Sequence, residues 1–86
     1  MQVRMSAGMV DALKATPEIP DNLMRCVTTA KRDGSEFLVT LSEDETMAMQ
    51  EMCQWYIQKD PATGNLTARA QIFDAIVRVI YQAEDA

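Results

Sequence analysis

Polar positions are scarcest toward the end of the chain. In "TARAQIFDAIVRVIYQ" the polar stripe is Thr67, Gln71, Asp74, Arg78 and Gln82. Spacings of three and four residues are one side of an α-helix, so a helix is predicted over residues 67–82, capped by Thr67. Projected at 100° per residue, Leu66, Ala68, Ala70, Ile72, Phe73, Ala75, Ile76, Val77, Val79, Ile80 and Tyr81 fill the rest. That apolar arc is roughly 240° wide, where a surface helix typically shows little more than about 100°. The closing "AEDA" reads as a frayed, solvated end.

A second helix is predicted over 43–58. Ser42 and Glu45 stand in the spacing of a capping box, and Glu43, Asp44 and Glu45 set negative charge against the helix N-terminus. Its polar stripe is Glu43, Gln50, Glu51, Gln54 and Gln58. The apolar arc is Ala48, Met49, Met52, Cys53, Trp55, Tyr56 and Ile57, roughly 200° by the same projection. Met49, Cys53 and Tyr56 form an inward face. Ala48, Met52 and Trp55 form a second flank, and Met47 falls within the polar stripe.

Upstream, "LMRCVTTAKRDGSEFLVTL" reads as an antiparallel β-hairpin over 23–41. Asp33-Gly34 is a two-residue turn signal between runs rich in strand-favouring residues. With that loop, Lys31 faces Glu36, Ala30 faces Phe37 and Cys26 faces Leu41. One face then collects Met24, Cys26, Thr28, Ala30, Phe37, Val39 and Leu41, and the other collects Arg25, Val27, Thr29, Lys31, Glu36, Leu38 and Thr40. "SAGMVDALKAT" has Met9, Val10 and Leu13 at helical spacing with Ser6 as cap, so a short helix is predicted over 7–15. Pro17 and Pro20 end it. The predicted fold is α+β, of order α-β-β-α-α, in a single domain over 1–86: a short N-terminal helix, a β-hairpin and a C-terminal two-helix hairpin.

These elements leave a covering problem. A two-stranded sheet is marginal alone, and the 240° arc of the last helix needs cover on two sides. A twofold homodimer is therefore expected, burying the spare helix faces and extending two hairpins into a four-stranded sheet.

Composition narrows the function. Eighty-six residues, 48% of them hydrophobic, make one globular domain. At this size only about 60–65% of the unfolded chain's surface is buried, so stability is thin. The net charge of −5 opposes a general affinity for phosphate backbones. Cys26 and Cys53 form no CxxC pair, and a small secreted domain carries more cysteine staples. No signal peptide and no apolar stretch of membrane-spanning length is apparent. A reduced, cytoplasmic protein is expected, with both cysteines as buried hydrophobes.

Chemistry is thin. The chain has no histidine, hence neither the commonest general base nor the commonest metal ligand. "DPATGN" lacks the order of acidic residues that a calcium loop needs, and with three glycines there is no phosphate-cradling loop. No enzyme, metal, cofactor or small-molecule substrate is expected. Arg25, Lys31 and Arg32 form the one local positive group, a contact for an acidic partner or nucleic acid if it serves any.

The order of "EFLVTLS", helix, turn and helix over 36–82 resembles ribbon-helix-helix repressors. The resemblance implies pairing of one strand from each of two chains, DNA reading by the strand's exposed residues, and phosphate contact near Thr67 and Arg69. The strand offers Glu36, Leu38 and Thr40 where that family uses Arg, Lys or Asn, and the hairpin would occupy its edge. The expected function is instead a small adaptor, regulator or inhibitor acting by occupying a protein surface. The expected contact residues are Met47, Met52 and Trp55 with Ile72, Ile76 and Val79, because Met is over-used at adaptable surfaces and Trp at binding hot spots.

Overall fold

The computed structural model describes residues 1–85. It contains, in order, strand β1 (Gln2–Ser6), helices α1 (Ala7–Lys14) and α2 (Asp21–Thr28), strands β2 (Lys31–Asp33) and β3 (Glu36–Thr40), and helices α3 (Glu43–Trp55) and α4 (Ala68–Glu84). The fold is α+β, with the expected short helix near the start, a β-hairpin and a C-terminal helix pair. Two elements are additional: a strand precedes α1, and a helix stands where the hairpin's first strand was expected.

β1 follows from strict alternation. Val3 and Met5 are buried, while Gln2, Arg4 and Ser6 are exposed. This is the period of a half-buried strand. β1 pairs antiparallel with β3, Val3 opposite Val39 and Met5 opposite Phe37. β2 takes the other edge, so the sheet order is β1-β3-β2.

Residues 21–28 correct the hairpin expected over 23–41. Val27, Thr28 and Thr29 favour a strand locally, but Leu23, Cys26 and Val27 stand at i, i+3 and i+4, and all three are buried on one face of α2. A strand would have sent Cys26 and Val27 to opposite faces. Pro20 at the N-cap and Asp21 in the first turn start the helix. The hairpin is therefore short, and its register lies two residues from the expected one. Asp33 pairs with Glu36 and Lys31 with Leu38, leaving Gly34-Ser35 as the loop. Gly34 has φ +65° and Ser35 has negative φ, as in a turn that takes glycine at its first central position. A two-residue shift preserves parity, so Phe37 and Val39 still face inward.

The caps form where predicted for three helices. Ser6 accepts from the Met9 amide, Thr67 from Ala70, and Ser42 with Glu45 completes a reciprocal capping box. α3 ends at Trp55 rather than Gln58. α4 runs through Glu84, so Ala83 and Glu84 of the expected frayed tail are helical and Asp85 is the C-cap; Ala86 lies outside the described residues.

α1, α2 and α4 pack against the sheet, and α3 packs on α2 and α4. α4 is the hub: it packs on α3, α1 and β1, and α2 closes against α1, α3 and β3. Phe73, Ile76 and Ile80 of α4 join Met5, Leu13, Leu23, Val39, Leu41 and Met49 in one continuous core. β1, α1 and α3 thus supply the cover that α4 needs. The apolar arc that motivated a second copy is largely buried within one chain.

Candidate functional site

The expected contact residues separate into three environments. Ile76 is fully buried and belongs to the core; it is corrected out of any contact surface, because α4 is covered on that side by its own chain. Met52 and Val79 are half-buried and pack against the core. Met47, Trp55 and Ile72 are exposed, at 58%, 81% and 37%.

Met47 and Trp55 share the outer face of α3. Glu43, Met47, Glu51 and Trp55 recur at four-residue spacing and are all exposed, so they lie one above another on the side away from the core. Met47 and Trp55 are eight residues apart, roughly 12 Å along the axis. Each sits in a shallow depression. Trp55 borders one with Glu51 and Gln54. Met47 borders another of about 370 Å³, whose other walls are Met1, Leu41, Glu43, Thr46 and Glu84. The stripe is therefore apolar at two points and anionic between and beside them.

The start of α3 is fixed by its cap and by α2. The Glu45 carboxylate accepts from the Ser42 amide at 2.8 Å and from the Cys26 thiol of α2 at 3.1 Å. The Ser42 backbone hydrogen bond, then that from Cys26, holds the Glu45 carboxyl below its ordinary value. Burial, then the carboxylate it donates to, pushes the Cys26 thiol up to about 11. Burial alone pushes Cys53 up to about 12. At neutral pH both cysteines are protonated thiols.

Ile72 lies elsewhere. With Gln71 and Ala75 it faces Ser6, Gly8 and Met9 across a groove between α4 and the start of α1. Ala68, Ile72, Ala75, Val79 and Ala83 form one uncharged flank along α4.

The basic residues are dispersed. Lys31 and Arg32 are consecutive in β2 and so point to opposite faces, while Arg25 is exposed on α2. Arg4 and Asp33 form an ion pair across the outer face of the sheet. Arg69 stands over the Tyr56 and Phe73 rings, 5.2 and 5.6 Å from their centroids. β3, the strand that the ribbon-helix-helix resemblance would pair with a second copy, is hydrogen-bonded on both edges.

Sequence reasoning found Met47 and Trp55 but missed the acidic residues beside them. Glu43 and Glu51 were legible as the i−4 neighbours of those two residues. Glu84 was not, because only the tertiary fold brings the end of α4 to the start of α3. Among the described residues, every buried side-chain nitrogen or oxygen has a partner, no three His, Cys, Asp or Glu side chains are placed to hold a metal ion, and no helix is long and apolar enough to cross a membrane. The chain matches no protein-family model, no curated protein and no solved structure.

Proposed function

We propose that this protein is a small interaction module that acts by occupying a partner's surface through the outer face of α3. The observation that carries the reading is Trp55, the single tryptophan, left 81% exposed at the end of a helix. An aromatic of this size offers 150–250 Å² for burial, on the order of 4–6 kcal/mol by area, which the isolated chain leaves unused. Trp is also the side chain most enriched at binding hot spots. Met47 adds a flexible apolar contact a little over two helical turns away, roughly 12 Å.

Charge selects the partner. Glu43, Asp44 and Glu51 share this face, and Glu84 walls the Met47 depression. The matching ligand is a segment that carries aliphatic or aromatic anchors with Lys or Arg beside them. A basic amphipathic helix laid along α3 fits that description. Such an interface associates faster at low salt and loses affinity as salt rises.

Trp55 is its own reporter. Basic amphipathic peptides selected by display on the purified protein should shift Trp55 emission to shorter wavelength on binding. Trp55→Ala should weaken those peptides by at least tenfold while changing stability by no more than about 0.5 kcal/mol. Peptides that bind equally well to Trp55→Ala and Met47→Ala would sink this assignment.

A further inference from the structure

We propose that a second copy of this chain docks along β1, joining two sheets edge to edge and packing the uncharged flanks of two α4 helices beneath the seam.

The edge is defined by the hydrogen-bond pattern. Met1 exchanges both backbone bonds with Leu41, at 2.8 and 2.9 Å. In an antiparallel ladder such pairs recur at every second residue. Val3 and Met5 therefore bond to β3, and the N–H and C=O groups of Gln2 and Arg4 point away from the sheet. Among the described residues, β1 contacts β3, α1 and α4, and β3 is its one strand neighbour. The opposite edge is guarded differently: β2 has three residues, all charged. Short, charged strands are how sheets blunt an edge. β1 has no such protection, since its one charged side chain, Arg4, is drawn across the sheet to Asp33.

α4 completes the surface. Met1 and Glu84 share one groove, and Ser6 and Ile72 share another. β1 and α4 therefore run antiparallel, side by side. α4 contacts β1 but not β3, so it runs along the edge strand. Its flank of Ile72, Ala75 and Val79, only partly covered, follows the open edge.

The β1 edge is self-complementary under a twofold axis, and this is the side where charge does not oppose a second copy. The chain carries −5 overall, and two copies repel across most approaches. The α3 face is acidic and would repel its own image. On the β1 side, Arg4 is paired and the α4 flank is uncharged. A twofold axis at Val3 sets Gln2 opposite the second copy's Arg4. All four outward groups of each edge then find partners, and the two Arg4 side chains do not face one another.

Amide hydrogen exchange and sedimentation equilibrium over a micromolar-to-millimolar series test this directly. The expected mass rises from 9.6 kDa to twice that value. Over the same range the Gln2 and Arg4 amides should become protected, while Val3 and Met5 are protected throughout. Arg4→Pro removes an N–H that β3 does not use and should hold the protein at 9.6 kDa, with its circular dichroism unchanged. Arg4→Ala, which loses only the ion pair, should still dimerise. Ala75→Glu should return a monomer without touching the strand. A 9.6 kDa mass throughout overturns the proposal. So does a dimer in which Gln2 and Arg4 exchange freely, or one that Trp55→Ala dissociates.

Discussion

Glu45 does two things with one carboxylate. It closes the capping box of α3 and accepts from Cys26 of α2, so the start of α3 is tied to the neighbouring helix. Ser42→Ala removes one half of the box and should cost about 1 kcal/mol, read as a shift in the urea midpoint with the m-value unchanged. The pH dependence has a definite sign. The folded Glu45 carboxyl lies below its ordinary 4.5, so its contribution is complete above that value and is lost as pH falls through the folded value. The thiols act at the other end. Their folded values, about 11 and about 12 against an ordinary 9.0, favour the fold below pH 9 and lose that contribution as pH rises through them. Stability measured between pH 3 and 11 should therefore form a plateau falling at both ends. In Glu45→Gln the acid shoulder should flatten, and the alkaline limb should shrink because the Cys26 thiol loses the carboxylate that helps to raise it. An unchanged acid shoulder in that variant would remove Glu45 from this role.

Among the elements, the hairpin is the most exacting. Asp33 and Glu36 are directly opposite in the ladder, an unfavourable pairing of like charges. Arg4 offsets it by binding Asp33 from the far strand. The turn depends on Gly34 at φ +65°. Gly34→Ala places a Cβ in a left-handed conformation and should cost about 1–2 kcal/mol, measured by thermal or urea unfolding, although nothing crowds the added atom. A neutral result would mean that the turn relaxes to another type. The same stretch shows where the sequence was legible. The reciprocal cap on α3, the Thr67 cap and the inward parity of Phe37 and Val39 all follow from local rules. α2 was hidden because Val27, Thr28 and Thr29 favour strands, while the competing signal, Leu23 with Cys26 and Val27, spans only five positions. Pro20-Asp21 was the decisive clue. β1 was legible too, in the alternation of "QVRMS", but five residues give a weak pattern without a partner strand to confirm the face.

At the scale of the whole molecule, a missed strand changed the meaning of α4. Its wide apolar arc looked like a surface awaiting a second chain; most of it is the hub of the core, and what remains is a narrow flank beside β1. The exposure of Met47 and Trp55 depends on α3 alone, so it could be read from the helical projection. Ile76 was misplaced because its environment depends on β1, α1 and α3 together. This difference makes a paired test. A chain of this length has a total stability of roughly 4–13 kcal/mol at 0.05–0.15 kcal/mol per residue. Phe73 is fully buried and stacks on Tyr56 with centroids 5.1 Å apart. Phe73→Ala should cost about 3–5 kcal/mol and also remove one of the two rings beneath Arg69, so it should leave the fold marginal or lost at 25 °C. Trp55→Ala, a larger truncation next to Tyr56 but on the exposed face of α3, should leave the stability within about 0.5 kcal/mol of the parent. Side-by-side urea titrations decide the matter. Equal destabilisation by the two variants would place Trp55 in the core's energetics and withdraw the reason for assigning it to a partner.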